Sequence, residues 1–374
     1  MKSKLKEVCL VFLKLGVIGF GGPAAHIALM EDELVNKRKW MTHEHFLDLI
    51  GTTNLIPGPN STEMTMHCGQ ERAGIPGLFL AGICFILPAA VITGLFAWLY
   101  AEYRSLPEVQ PFLYGIKPAL LAIILNAIYK LGQKALKNWQ LGVIGVLVIV
   151  LSLLGVNEIY ALLGAGIVSI GWFSGKELFT TKKISFFAPL ILLVVLTTTD
   201  TSLTTLFLIF LKIGGTLFGS GYVLVAYVQA EFVDKLHWLT QQQLLDAVAV
   251  GQFTPGPLFS TATFIGYQIG GLWGAVVSTI GIFLPAFFLV LLLNPYVPKL
   301  RKSKVMGAFL DGVNIGAIGV MAAVTVELSR NVLVDWKTWL IALASVLLIF
   351  VFKKLNTTWI VLGSAVTGYV LSFV

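Results

Sequence analysis

The sequence predicts an all-α polytopic membrane protein, built as two homologous halves in an inverted-topology repeat, each containing broken, re-entrant helical hairpins. Three observations predict it. Of 374 residues, 57% are apolar and only 12% are charged, and the mean hydropathy is +0.86. Soluble domains carry about 25% charged residues, so this chain lacks the polar groups to cover a water-facing surface of its size. The chain repeats itself at a fixed offset. Glycine and proline break its apolar stretches at repeat-matched places, and because both are spread among apolar runs the composition also excludes disorder.

The repeat is read directly. Phe12-Leu13-Lys14-Leu15-Gly16 returns as Phe210-Leu211-Lys212-Ile213-Gly214, and Glu33, Trp40, Thr42 and Asp48 return as Glu231, Trp238, Thr240 and Asp246. The offset is 198 (210 − 12), with 17 identities in the 48 ungapped positions from 12 to 59. It becomes 197 further on, where Leu87-Pro88-Ala89 matches Leu284-Pro285-Ala286 and Trp139 matches Trp336. The predicted organisation is a first repeat over 1–175, a linker over 176–202 and a second repeat over 203–374.

The elements follow in order. Residues 1–6 are basic and precede an apolar stretch, the pattern of a secretory signal. Its recurrence at 210–214 makes that stretch part of the fold instead. Two breaks follow, at Gly21-Gly22-Pro23 and Pro57-Gly58-Pro59, with counterparts at Gly219-Ser220-Gly221 and Pro255-Gly256-Pro257. Such residues stop a helix, and unpaired backbone is not tolerated against lipid, so the breaks are expected to line a polar cavity. Each broken segment therefore reads as a hairpin that enters, turns near the middle and leaves on the side it came from. Spans are predicted at 78–101, 112–129, 141–156 and 159–173, in the linker at 186–199, then at 272–293, 305–326, 338–352 and 358–374. Several fall short of the ~20 residues of a typical span, which requires upright helices.

Charge placement tests the topology. With the N-terminus in the cytoplasm, Lys37-Arg38-Lys39, Arg72, Lys130, Lys134, Lys137, Lys176, Lys182 and Lys183 all fall inside. So do Lys299, Arg301, Lys302, Lys304, Lys353 and Lys354, as the positive-inside rule requires. Asn36-Lys37-Arg38-Lys39 becomes Asp234-Lys235-Leu236-His237 in the second copy, losing positive charge where an inverted repeat puts it outside. The net charge of +7 thus records topology, and nucleic acid is not an expected partner. Cys9, Cys68 and Cys84 lack metal spacing and read as small core residues. No cofactor is expected.

Inverted repeats with discontinuous helices are the architecture of secondary transporters. A helix that restarts after a break offers free N–H groups and a positive dipole end, suited to an anion. The candidate substrate-binding residues are accordingly Gly21, Gly22, His26, Pro57, Gly58, Pro59, Asn60, Ser61 and Thr62. In the second half they are Gly219, Ser220, Gly221, Thr254, Pro255, Gly256, Pro257, Ser260 and Thr261, whose hydroxyls add donors. Lys14 and Lys212 lie in apolar helices six residues before each Phe-Gly break. Each either contributes charge to a central anion site, or snorkels, or pairs with a glutamate. Glu63 follows the first Pro-Gly-Pro break and has no acidic counterpart, its repeat position being Thr261, which makes it the candidate proton-coupling carboxylate. Lys117 and Asp311 are expected to pair. Glu33, Glu231, Asp48 and Asp246 read as caps or partners of basic loops, and His43, His45 and His67 as residues of hydrophilic margins. No Ser-His-Asp order, phosphate-binding loop or paired histidine cluster seats enzyme chemistry.

Phe20-Gly21-Gly22-Pro23-Ala24-Ala25-His26-Ile27, Phe46-Leu47-Asp48, Leu55-Ile56-Pro57-Gly58-Pro59-Asn60-Ser61-Thr62-Glu63 and Arg72-Ala73-Gly74 closely resemble the chromate ion transporter family. Phe218-Gly219-Ser220-Gly221-Tyr222 and Gln252-Phe253-Thr254-Pro255-Gly256-Pro257 resemble that family's C-terminal domain. The resemblance covers the whole chain in its two-domain form. It implies a multi-pass inner-membrane protein that exports chromate, coupled to the proton-motive force, with halves of opposite orientation. Sulfate, of the same charge and shape, is the alternative substrate. A passive anion channel or an intramembrane enzyme using the same cradle, and a homodimer, are the further readings.

Overall fold

A computed structural model describes residues 2–53, 55–106, 108–178, 202–218, 221–293, 303–352 and 357–373. The linker span at 186–199 lies outside them, as do Lys182, Lys183, Lys299, Arg301, Lys302, Lys353 and Lys354. So do Gly219 and Ser220 of the candidate site.

The first half is α1 (Lys2–Ile18), α2 (Pro23–Met30), α3 (His43–Thr53), α4 (Asn60–Tyr103), α5 (Gln110–Ala135), α6 (Trp139–Leu153) and α7 (Glu158–Leu178). The second is α8 (Leu203–Thr216), α9 (Leu224–Val228), α10 (Gln241–Phe253), α11 (Thr261–Leu293), α12 (Lys304–Val332), α13 (Trp336–Val351) and α14 (Thr357–Leu371). Both α2 and α9 run on as π-helices, Glu31–Lys37 and Gln229–Lys235. The elements match one for one, down to Lys39 and His237, which share a left-handed φ of 53°. Matched caps start α6 and α13: the Asn138 side chain accepts from the Leu141 N–H and Asp335 from that of Thr338.

The 44 residues of α4 are not one rod. At Gly74 φ is +68° and ψ −160°, and at the matched Gly271 of α11 φ is +59° and ψ −151°, a conformation open in practice only to glycine. The chain folds back there. A Cβ on Gly77 would overlap the carbonyl oxygen of Gly69, and one on Gly274 that of Gly266, so two backbones lie in contact across each turn. The arm before each turn is short, and residues 75–103 and 272–293 form the long apolar arm.

One end of the molecule is marked by Glu7 near the start of α1. Its carboxylate accepts from Arg38 (3.2 Å), from the Trp40 indole (3.1 Å) and from Arg72 (2.6 Å). The start of α1, the loop after α2 and the end of the short arm of α4 therefore meet at the same end. Both segments of the first half, α1–α2 and α3 with the short arm of α4, are hairpins that return to where they began.

Packing interleaves the halves. α5 packs against α13 and α14, and reciprocally α12 packs against α6 and α7, while α4 lies along α11. Phe79, early in the long arm of α4, stacks on Phe287, late in that of α11 (5.4 Å). Outward faces are apolar: Val143, Val146, Leu147 and Val150 on α6, and Leu340, Leu343, Leu347 and Val351 on α13, are exposed. Trp139, Trp273, Trp336 and Trp359 are exposed near helix ends, the position of an aromatic belt. Four helical segments, Asn60–Tyr103, Gln110–Ala135, Leu258–Leu293 and Lys304–Val332, are long and apolar enough to cross a membrane, and five shorter apolar helices accompany them. The protein is a multi-pass membrane protein.

One expected pair is corrected. Lys117 faces Asp246 (3.6 Å), and Asp311 instead pairs with Lys137 (2.7 Å). Interleaving decides this: α5 carries Lys117 to α10, while α12 brings Asp311 to the start of α6.

Candidate functional site

The four breaks meet. The Gly58 N–H donates to the Leu217 carbonyl (2.8 Å), and the Gly256 N–H donates to the Gly19 carbonyl (2.7 Å). These bonds are repeat images of each other (58 + 198 = 256; 19 + 198 = 217). Each Pro-Gly-Pro segment is thereby tied to the first break of the opposite half. Ala286 and Ala89 back the two glycines: a Cβ on Gly58 would lie 3.6 Å from Ala286, and one on Gly256 would lie 2.8 Å from Ala89. The Leu-Pro-Ala motif of each long arm thus supports the break of the other half.

His26 joins the two breaks of the first half. Its Nε2 lies 2.9 Å from the Gly19 carbonyl oxygen, which only accepts, so that nitrogen carries the proton. Nδ1, 3.2 Å from Ser61 Oγ, then accepts from the hydroxyl. In the second half the break closes at Gly221–Val223, where Gly221 packs on Leu258, after Pro257. Thr254 donates to the Val250 carbonyl (2.8 Å), Thr261 donates to that of Leu258 (2.8 Å), and Ser260 accepts from the Thr93 hydroxyl (3.2 Å). The Thr254 and Thr261 protons are therefore spent within the backbone, while Ser260, which only accepts, keeps its own proton to donate.

One cluster of spare polar atoms lies on the short arm of α4. Glu63 is fully buried, and neither carboxylate oxygen has a protein hydrogen-bond partner. The same holds for the Thr62 hydroxyl and for Nε2 of His67. Glu63 and His67 sit at i and i+4, hence on one helix face. His67 is 1% exposed, so its placement in a hydrophilic margin is corrected; the signal available was its spacing from Glu63 inside an apolar run. His43 and His45 are exposed beside Glu31 and Glu71, as expected. No side chain caps the helix restart at Pro59, whose carbonyl accepts from the N–H groups of Thr62 and Glu63.

The two lysines take the paired alternative. Lys14 bonds Glu33 (3.0 Å) and Lys212 bonds Glu231 (2.5 Å). The pairs are repeat images but differ in setting: the Lys14 side chain is 52% exposed and that of Lys212 5%. Glu33 also accepts from Arg38 (2.9 Å), and Glu231 from Lys235 (3.4 Å). Neither lysine presents an uncompensated charge to the breaks, which corrects the reading that both supply free charge to an anion there. Among the described residues no cluster of three or more His, Cys, Asp or Glu is arranged to hold a metal.

The family model for chromate transporters matches this chain at residues 6–170 and 204–369. The chain is 33% identical over 372 residues to a chromate transport protein of Cupriavidus metallidurans, covering 98% of this chain and 93% of that one. It is 30% identical over 380 residues to a chromate transport protein of Pseudomonas aeruginosa, covering 96% and 91% respectively. No solved structure matches.

Proposed function

This chain belongs to the chromate transporter family, and on that premise we propose that it exports chromate, or a related tetrahedral oxyanion, by alternating access through the centre where its four helix breaks meet. The observation that carries the proposal is the reciprocal pair of bonds, Gly58 to Leu217 and Gly256 to Gly19. They place four interrupted backbones, two from each half, at one shared point of an apolar fold. Backbone donors at helix restarts suit a dianion, and a site made jointly by two repeats opens to either side when one repeat rocks against the other.

The proton is assigned to Glu63. An unpaired carboxylate is expensive to bury, so proton uptake and release at this group give the cycle a second ligand. The direction of the helices supports an inverted relation of the halves. The long arms of α4 and α11 are repeat equivalents, and they run antiparallel: Phe79 meets Phe287, while Gln268 and Phe264, on the short arm of α11, reach Ala97 and Tyr100 at the far end of α4. Equivalent helices running antiparallel fit a two-fold axis in the membrane plane. With the basic loops cytoplasmic, the protein sits in the plasma membrane with its N-terminus inside.

Flux tests the reading. In proteoliposomes with the membrane potential clamped, an acidic lumen should drive chromate uptake above equilibrium as protons leave. Uptake that follows only the chromate gradient identifies a passive channel, and none for chromate or sulfate above protein-free vesicles overturns transport.

A further inference from the structure

A cavity of about 850 Å³ opens at the end of the molecule away from Glu7. It is walled by the starts of α5 and α10, the turn between α12 and α13, and the end of α14. Gln110, Gln241, Gln242 and Asn331 bring side-chain amides and Lys117 and Lys337 bring cations. Gln110 donates to the Arg104 carbonyl, Asn331 to Gln241 and Lys337 to the Leu371 carbonyl (3.1 Å), while the Gln241 amino group has no hydrogen-bond partner. One carboxylate shares the wall, Asp335, and it already accepts the Tyr114 hydroxyl (2.5 Å) and the Thr338 N–H (2.8 Å). The lining is therefore biased toward an anion.

Lys117 stands beside the nearly buried Asp246. The Asp246 Oδ2 atom accepts the Tyr100 hydroxyl at 2.6 Å. Its Oδ1 is 3.6 Å from Lys117 Nζ, too long for a hydrogen bond, and has no other hydrogen-bond partner. Lys117 is thus held by charge but not by a bond, unlike Lys212 on Glu231. An oxyanion in the cavity can offer it the hydrogen bonds that Asp246 does not. From Asp246, eight residues of α10 lead to Thr254 at the central break, a rise of about 12 Å, through Ala247, Val248, Ala249, Val250 and Gly251. The repeat position of Lys117 is Asn314, so the arrangement belongs to one end only.

We propose that this cavity is a docking vestibule for a tetrahedral dianion at one end of the pathway, with Lys117 as the capturing residue that exchanges Asp246 for the anion. The inference rests on the transport reading above and deepens it. The test is flux measured separately from each face in oriented proteoliposomes, with chromate and with sulfate as probes. Lys117→Met should raise the half-saturating concentration at least tenfold from the cavity face and less than twofold from the other. Lys117→Arg should recover most of the loss, and Asp246→Asn should lower the half-saturating concentration from the cavity face. An equal change from both faces, or none, overturns the vestibule while leaving transport standing. Should the wild type carry neither anion, equilibrium dialysis of the purified full chain decides the vestibule alone: binding that Lys117→Met abolishes and Lys117→Arg retains upholds it, and absent or unaltered binding removes it.

Discussion

Lys212 and Glu231 show how a single residue changes meaning once its partner is known. A lysine in an apolar helix signals a site or a pair, and only the geometry chooses. Because this pair is buried, Lys212→Met should leave Glu231 nearly stranded and cost roughly 3–5 kcal/mol, seen as a lowered melting temperature in detergent. Lys212→Met with Glu231→Gln should recover much of it. Lys14→Met should cost far less, since that lysine is half exposed and Glu33 keeps Arg38. Glu63 makes the opposite case: its burial without partners follows the position that the sequence marks as lacking a counterpart. Glu63→Gln should keep the fold and chromate exchange at equal pH while abolishing the response to an imposed pH gradient; a response of normal size removes the proton role. For His67 only its spacing four residues after Glu63 pointed inward, because a lone histidine in an apolar run looks the same whether it borders water or lies buried.

At the scale of elements the turn at Ala73-Gly74 stands out, since it separates the returning arm that ends near Arg72 from the span predicted at 78–101. Gly74→Ala places a side chain at φ +68° and should cost about 1–3 kcal/mol, measured by thermal unfolding of the purified protein. Gly271→Ala, its image, should cost a similar amount. The structure caps α6 and α13 with Asn138 and Asp335, which occupy matched positions. Asp335 also anchors α5 through Tyr114, whose hydroxyl, with the Thr338 backbone N–H, holds its carboxyl below the usual carboxylate range. A depressed value means the contribution is present at neutral pH and is lost as pH falls through the folded-state value. Asp335→Ala should therefore cost about 1 kcal/mol at pH 7 and progressively less below the ordinary carboxylate range, a convergence that melting curves against pH would show. Among the described residues helix extents agree closely with the predicted spans, except that α5, α7 and α12 run further than 112–129, 159–173 and 305–326.

The whole molecule is held by exchange between halves, with α5 among α13 and α14 and α12 among α6 and α7. Inverted topology predicts that Lys37→Cys and Lys235→Cys, exposed and repeat-matched, react with a membrane-impermeant thiol reagent from opposite faces; labelling of both from one face refutes it. The sequence by itself determined that this is a helical membrane protein, that it is a duplication, and where its backbone is interrupted. Those properties reside in composition, periodicity and the backbone limits of glycine and proline, which act locally. Only the tertiary structure decided which charges neutralise each other and that each Pro-Gly-Pro segment bonds to the opposite half. Those depend on which helices become neighbours. Residues 19 and 256, or 117 and 246, are brought together by interleaving, and no local pattern in the chain carries that information.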